Sequence, residues 1–448
     1  MKKLLILAYD FPPYVSVGGL RPYAWYKYFH EFDIYPIVVT RQWENKYGNH
    51  LDYIAPSETK ETIIEESDIG TIIRTPYKAN LANKLMLKYG ENKYKFIRKI
   101  ISALYELFQW IFFVGPKSGL YFGAKKYLKE NKVDCIIATG EPFVLFYFAK
   151  KLSQKFNIPW IADYRDPWTQ SKKRCPNLLL KKTYAYFERK YLKNTSFITT
   201  VSNFLAKHIS SNLKSSLFYI IPNGFDNEIL KITKEVEQNR TVLNIGFVGT
   251  IYKWHPFESF LKNIEKFVKE RNVEINLNFY GINNEAEIKN IIETKCPIIK
   301  SMVNIYSRMP NSDLIADLSK NNALLLFNDY SVMGTKIYDY LAVKRKILLC
   351  YTDDEQANLL KERHYNLKEI DGLSNSLQAE LIKETNSGII VENSSHLLQA
   401  LDELLKEFKE KGKIVCNSIN VENYSRKKQT RKLAKIIKKK TNNNDKIS

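Results

Sequence analysis

Midway along the chain the sequence runs Ile221-Pro222-Asn223-Gly224-Phe225-Asp226, continues through the polar stretch Lys231–Arg240, and enters the apolar run Asn244-Ile245-Gly246-Phe247-Val248. Pro-Asn-Gly is a turn cluster that ends one folded segment. The run after it starts a second segment in the same pattern as the first. Upstream, Leu4–Ala8, Pro36–Val39, Ile72–Arg74, Asp134–Ala138, Trp160–Asp163 and Phe197–Val201 read as strands. Amphipathic stretches such as Leu20–Phe32 and Leu120–Glu130 lie between them. Downstream, Asn244–Val248, Glu274–Tyr280, Val303–Tyr306, Ala323–Phe327, Ile347–Tyr351 and Gly388–Val391 repeat the strand pattern. They alternate with helix-period segments at Pro256–Lys269, Glu285–Glu293, Ser312–Lys320, Thr335–Val343 and Ser395–Lys411. Continuous Val/Ile/Leu runs alternating with helices predict parallel strands covered on both faces. The expected fold class is α/β, with two doubly wound, Rossmann-like domains at 1–225 and 226–420 and a basic C-terminal helix and tail at 421–448. Ligands of such sheets sit beyond the carboxyl ends of the strands, so two facing sheets predict a site in an interdomain cleft.

With 448 residues, 44% hydrophobic and 26% charged, the chain has the composition of a globular protein, not of a disordered, collagen-like or coiled-coil one. Its formal net charge of +21 favours an anionic partner: nucleic acid, an acidic membrane face or a phosphate-bearing substrate. Five scattered cysteines form no C-x-x-C, which predicts a reducing, cytoplasmic setting. The apolar start Leu4–Ala8 runs into Tyr9-Asp10-Phe11-Pro12-Pro13 with no small-residue cleavage site, as a first strand would. The apolar window Leu107–Val114 is far short of the roughly 20 residues that span a bilayer.

Four stretches carry candidate chemistry. Gly18-Gly19 opens a helix after the first strand, where free N–H groups suit a phosphate; an ordinary loop is the alternative. The motif is not G-x-G-x-x-G, and the second strand ends in Thr40-Arg41 without an acid, which disfavours a dinucleotide cofactor. Asp163-Tyr164-Arg165-Asp166-Pro167-Trp168 sets two carboxylates and a guanidinium at the end of a strand; the competing reading is a structural ion pair. Glu141 follows another strand on the same edge, as a site carboxylate or a solvated loop residue. In Gly334-Thr335-Lys336-Ile337-Tyr338-Asp339-Tyr340-Leu341-Ala342, Thr335 reads as an N-cap. Lys336 opposes the helix dipole there unless an anion binds. Asp339, one turn on, suits a ribose diol or an i, i+3 ion pair with Lys336. Walker A, G-x-S-x-G, D-x-D and clustered-histidine metal motifs are all missing, so no metal site is expected.

Taken in order, these pieces resemble the retaining glycosyltransferases of family 4, with the GT-B fold, of the kind that builds bacterial surface polysaccharides. The resemblance runs through Tyr9–Pro13 with Gly18–Arg21, Ile158–Trp168, Thr200–Ser202, Ile221–Asp226, Gly246–Thr250, Gly334–Ala342 and Ser387–Val391. It implies transfer from a nucleotide-diphospho-sugar, without cofactor or essential metal, to a saccharide or polyprenyl-linked acceptor. It implies donor contacts from Gly18, Gly19, Lys253, Arg308, Thr335, Lys336 and Asp339, with Asp339 on the ribose and Thr335 offering its N–H to the diphosphate. It implies acceptor contacts from Arg21, Glu141 and Asp163, and a catalytic region at Arg165 and Asp166. Two positions depart from the family pattern: Ser331 stands where the first Glu of E-x7-E is usual, and Thr250 where an Arg is usual.

The resemblance leaves a sugar-nucleotide epimerase on the same scaffold as the alternative, since fold does not fix reaction. A nucleic-acid-binding protein rests on charge alone, and no nucleic acid partner is expected. Two stretches bear on peripheral attachment to an anionic membrane. One is the aromatic, basic segment Tyr94–Tyr121, which reads equally as a core helix. The other is the basic tail from Asn423, with Leu433, Ile436 and Ile437 as an apolar face, which reads as a closing helix or an anchor.

Overall fold

The structure, a computed structural model, describes residues 1–44, 51–171, 174, 175, 177–213, 216–365, 367 and 369–444. Its contacts divide the chain into two compact units, Met1–Pro222 with Lys427–Ser448 and Asn223–Arg426. The first division falls inside the Pro222–Asp226 turn cluster.

The first unit contains strands β1 (Lys2–Leu7), β2 (Ile34–Arg41), β3 (Ile63–Ser67), β4 (Gly70–Thr75), β5 (Cys135–Gly140), β6 (Trp160–Tyr164), β7 (Phe197–Thr200) and β8 (Phe218–Ile220). Its helices are α1 (Val17–Tyr28), α2 (Leu81–Tyr89), α3 (Lys95–Phe108), α4 (Ser118–Glu130), α5 (Val144–Phe156), α6 (Leu178–Leu192) and α7 (Asn203–Ser210). The sheet order is β3-β4-β2-β1-β5-β6-β7-β8, parallel except for the β3–β4 edge. One face packs Leu5, Leu7, Ile136 and Ala138 against α4 and α5 residues such as Ala124 and Leu145. The other packs Leu4, Ile6, Cys135 and Ile137 against Trp25 and Phe29. Burial on both faces is why these strands lack polar alternation. Strand β3 escapes the apolar criterion because all five of its residues are exposed.

The second unit holds α8 (Asn227–Glu235), then β9 (Leu243–Val248), α9 (Phe257–Arg271), β10 (Ile275–Tyr280), α10 (Glu285–Lys295), β11 (Val303–Tyr306) and α11 (Asn311–Lys320). It continues with β12 (Ala323–Phe327), α12 (Lys336–Val343), β13 (Lys346–Cys350), α13 (Glu355–His364), α14 (Leu377–Thr385), β14 (Gly388–Val391) and α15 (Ser394–Lys411). The order β11-β10-β9-β12-β13-β14 is all parallel and reverses direction between β9 and β12. Buried polar residues inside these strands satisfy one another. The Asn278 amide donates to Asn244 Oδ1 (3.1 Å) and Asn321 Oδ1 (2.8 Å), and the Asn304 amide donates to Asn278 Oδ1 (3.0 Å). A Cβ at Gly246 would come within 2.8 Å of Asn321, so the ladder requires glycine there.

The last helix, α16 (Arg426–Asn444), returns to the first unit. Leu433, Ala434 and Ile437 are buried in the same cluster as Leu4, Ile6, Trp25 and Phe197. Lys438 pairs with Asp33 (2.9 Å) and Lys427 with Glu31 (2.5 Å). Of the two readings of this tail, a closing helix or a membrane anchor, the apolar face fits the closing helix, because it is spent on the core. Residues 445–448 of the expected tail lie outside the described residues. All five cysteine thiols are free, and Cys135, Cys175, Cys296 and Cys350 are buried. No helix among the described residues is long and apolar enough to cross a membrane.

Truncating a fully buried leucine removes its transfer energy and leaves a cavity. Leu433→Ala is expected to destabilise the first unit by about 2–4 kcal/mol, read as a lowered urea midpoint, whereas exposed Lys432→Ala leaves the midpoint unchanged.

Candidate functional site

In a parallel sheet all strand-to-helix loops after the strands emerge at one edge. In the first unit this edge gathers the loops after β1, β5 and β6. Asp10 follows β1, and its Oδ2 accepts the Ser16 hydroxyl (2.7 Å). Ser16 in turn caps α1, its Oγ accepting Gly18 N–H (3.0 Å). A Cβ at Gly18 would sit 2.6 Å from Asp10 Oδ2 and 3.0 Å from Arg165 Nη1, so only glycine fits. Gly19 packs over the backbone of Asp10 and Phe11.

Arg165, after β6, laces this edge together. Nε donates to the Gly140 carbonyl (2.9 Å), Nη2 to the Glu141 carbonyl (2.8 Å) and Nη1 to the Gly18 carbonyl. Three of its five N–H donors are used, and its charge stays at the edge. Its neighbour Asp166 lies on the exposed lip. Crowding by surrounding protein raises its pKa, and the Arg165 and Arg174 charges oppose that rise. Glu141 is gripped on both oxygens by Arg174. Burial pushes its pKa up, but the hydrogen bond and charge of Arg174 outweigh that and leave it lowered.

The expected acceptor role of Arg21 and Asp163 is corrected. Arg21 Nη2 meets Asp163 Oδ1 at 2.8 Å, Nε donates to the same carboxylate, and Nη1 donates to the Ile221 carbonyl (2.8 Å). Asp163 also accepts from Thr139 (2.8 Å) and Thr199 (2.7 Å) and is completely buried. The pair ties α1 to β5, β6, β7 and the end of the unit, with no surface left for a ligand. The acceptor role expected for Glu141 meets a similar obstacle, since its carboxylate is already occupied by Arg174.

Asp10 is the residue the sequence reading passed over as a site. Its Oδ1 is buried without a hydrogen-bond partner among the described residues, and burial raises its pKa against the Ser16 hydrogen bond and the Arg165 charge. The signal was present: like Asp163, it stands at the end of an apolar strand.

In the second unit the loops after β9, β10, β11 and β12 share the corresponding edge. Gly249 turns out of β9 at φ +82° and donates to the Tyr280 carbonyl (2.9 Å). Gly281 turns out of β10 at φ +56° and donates to the Tyr306 carbonyl (2.8 Å). The stem of exposed Arg308 lies over Gly281, with its Cγ 3.2 Å from where a Cβ would be. Lys253 is exposed in the loop after β9. Tyr340 accepts the Val248 N–H (3.0 Å) and so fixes α12 against the end of β9.

That anchoring brings Lys336, the first residue of α12, alongside Gly249. Its Nζ rides 4.0 Å from the centre of the Phe247 ring, and its Cε lies 3.8 Å from where a Gly249 Cβ would be. Burial lowers its pKa to about 8, and only the charge of Asp329 works the other way. Asp329 is itself engaged by His255 Nε2 (3.1 Å) and Trp254 Nε1 (3.2 Å). Burial likewise lowers the His255 pKa, with Asp329 opposing and Lys336 reinforcing. Thr335 occupies the N-cap position of α12, but its hydroxyl makes no capping bond, so the expected side-chain cap is not formed. The first N–H groups of a helix have no partner within it. Asp339 follows on the same helix. Burial raises its pKa to about 6, Arg426 lowers it and Asp226 raises it. No ion pair joins it to Lys336. Ser331 is buried, and its Oγ has no partner among the described residues.

Among the described residues the second-unit edge thus offers a half-buried ammonium with no carboxylate bound to it, beside an uncapped helix start and one turn from a carboxylate. Such a pairing of cation, free helix N–H groups and carboxylate has the chemistry to take an anion carrying hydroxyl groups. Among the described residues no cluster of His, Cys, Asp or Glu is placed to hold a metal.

Residues 88–229 match the family described as Glycosyltransferase Family 4. No curated protein matches the chain by sequence. Among solved structures, sucrose-phosphate synthase from Thermosynechococcus elongatus aligns at 13% identity and TM-score 0.54, covering 100% of this chain and 98% of that one. WaaG, a glycosyltransferase involved in lipopolysaccharide biosynthesis, aligns at 12% and 0.50, covering 96% and 95%. A UDP-N-acetylglucosamine 2-epimerase from Listeria monocytogenes aligns at 11% and 0.50, covering 98% and 96%. At these identities the likeness shows the shared fold.

Breaking a buried ion pair strands its partner. Arg21→Ala is expected to destabilise the first unit by about 3–5 kcal/mol in urea unfolding, with nucleotide affinity of the folded protein unchanged.

Proposed function

We propose that this chain, which has the GT-B fold and matches glycosyltransferase family 4 over residues 88–229, transfers a sugar from a nucleotide-diphospho-sugar to a saccharide or lipid-linked acceptor with retention of configuration. The observation that carries the proposal is Lys336, whose half-buried ammonium lies over Phe247 with no carboxylate bound to it among the described residues. An anion at the start of α12 would gain that charge and the helix N–H groups together. A diphosphate fits, and Asp339 on the same helix is placed for the ribose diol. Lys253 and Arg308, in neighbouring loops of the edge, add positive charge for the phosphates and the nucleotide.

The chemistry needs little more. The bond from the anomeric carbon to the diphosphate oxygen breaks, and the diphosphate leaves with the electron pair. The acceptor hydroxyl bonds to the same face of the sugar, and its proton passes to the departing diphosphate. Fixed positive charge on the leaving group stabilises this transition state more than the ground state, which makes an essential metal unnecessary. On the first unit, the charge of Arg165 and the carboxylates of Asp166 and Asp10 are the groups offered to the acceptor. Assembly of a surface polysaccharide at the inner membrane face is the biological setting that this substrate pairing supports.

The test is incubation with UDP-, GDP-, ADP- and dTDP-sugars followed by NMR of the products. Transfer or slow hydrolysis with retained anomeric configuration is the expected result. Conversion to an altered nucleotide sugar identifies an epimerase instead. Lys336→Ala is expected to weaken nucleoside diphosphate binding about ten- to a hundredfold by calorimetry, the worth of a charged hydrogen bond. Affinity should be bell-shaped in pH. It rises through about 6 as Asp339 ionises and becomes a full acceptor, and it falls above about 8 as Lys336 loses its proton.

A further inference from the structure

Helix α3 is amphipathic and leaves its apolar side exposed. Phe96, Ile97, Ile100, Leu104, Leu107 and Ile111 recur at helical spacing along one side of α3 and its extension. All six are exposed, Phe96 by 75% and the others by nearly half. No residue of α3 is buried. The opposite side lies nearer the protein: Arg98, Ile101 and Tyr105 are half-buried, Gln109 just past the helix is buried, and exposed Glu106 accepts the Tyr184 hydroxyl (3.3 Å). Of the two readings of the Tyr94–Tyr121 stretch, a core helix covered by the sheet is therefore excluded for α3. A contiguous apolar row in water on a globular unit marks a contact surface.

The charge around this row selects what it contacts. Residues 81–117 hold seven basic side chains and only two acidic ones. Lys95, Arg98 and Lys99 lie at the start of α3, and Lys88 and Lys93 lie in α2 and the turn between the helices. A second copy would bring the same positive rim against itself and be repelled, whereas an anionic bilayer attracts the rim and dissolves the row. We propose that α3 is an interfacial helix that seats the first unit on an anionic lipid surface, its apolar row among the acyl chains and its basic rim at the headgroups. This deepens the lipid-linked acceptor reading above and rests on it.

The experiment is co-sedimentation of the full chain with vesicles of phosphatidylcholine, alone or with about one third phosphatidylglycerol. Binding to the anionic vesicles at least about tenfold stronger than to the neutral ones, weakened by salt, is the expected result. Combined Ile100→Ser, Leu104→Ser and Leu107→Ser should reduce it at least about tenfold. Because all three side chains are exposed, the fold is not at risk, and thermal unfolding verifies this. Equal sedimentation of wild type and triple variant overturns the proposal. So does a concentration-dependent dimer in lipid-free buffer that the triple variant abolishes. Nucleoside diphosphate affinity, measured in parallel, reads the second unit alone, so loss of docking with intact affinity separates failure of this inference from failure of the glycosyltransferase reading.

Discussion

A half-buried lysine ammonium, set over an aromatic ring and without a carboxylate bound to it among the described residues, is the constraint on which the functional reading rests. Shifting Lys336 from an ordinary lysine to a pKa of about 8 corresponds to roughly 3 kcal/mol held against the charged form. With a lowered folded-state pKa, the unfolded chain binds more protons between about pH 8 and 10.5, so stability rises with pH across that window. The cation thus burdens the empty protein at neutral pH. An anion on the helix start reverses the sign, because the same charge then meets its complement in a poorly solvated place. Tyr340 and Gly249 hold this arrangement in position: one pins α12 to the end of β9, and the other, at φ +82°, turns the chain out of β9 beside the lysine stem.

The two units treat charge differently. Arg21 and Asp163 are fully satisfied by each other, by two threonines and by backbone carbonyls, so their electrostatics go into the fold. Arg165 is intermediate, with three donors spent on the loops after β1 and β5 and its charge still at the edge. Less satisfied among the described residues are Lys336, with no carboxylate bound to it, and Asp10, whose Oδ1 has no partner although Oδ2 accepts from Ser16. A polar group left without partners in a native protein calls for an explanation, and binding supplies one.

Much of the architecture could be read from apolar periodicity, because strands buried on both faces leave continuous runs such as Ala323–Phe327. Strand β3 could not, since an exposed antiparallel edge has no apolar signature, and neither could the three-residue β8. Gly334–Ala342 announced a helix start with a misplaced cation, and the structure adds that Thr335 does not cap it. Asp163 and Arg21 looked like site residues because strand-end charges are common in sites. Only the threonines on β5 and β7 and the carbonyls of Ile221 and Pro222, distant in sequence, reveal the pair as structural. The exposure of the apolar side of α3 was equally out of reach. A helix wheel gives the two faces but not which one the sheet receives.

The central claim is tested most directly by the titration of Lys336 itself, followed through the NMR signal of its labelled side chain and assigned by Lys336→Arg. The account predicts a midpoint near 8 in the free protein that moves up by at least about one unit when a nucleoside diphosphate saturates the chain. A midpoint that is ordinary for lysine, or one that the diphosphate leaves in place, contradicts it.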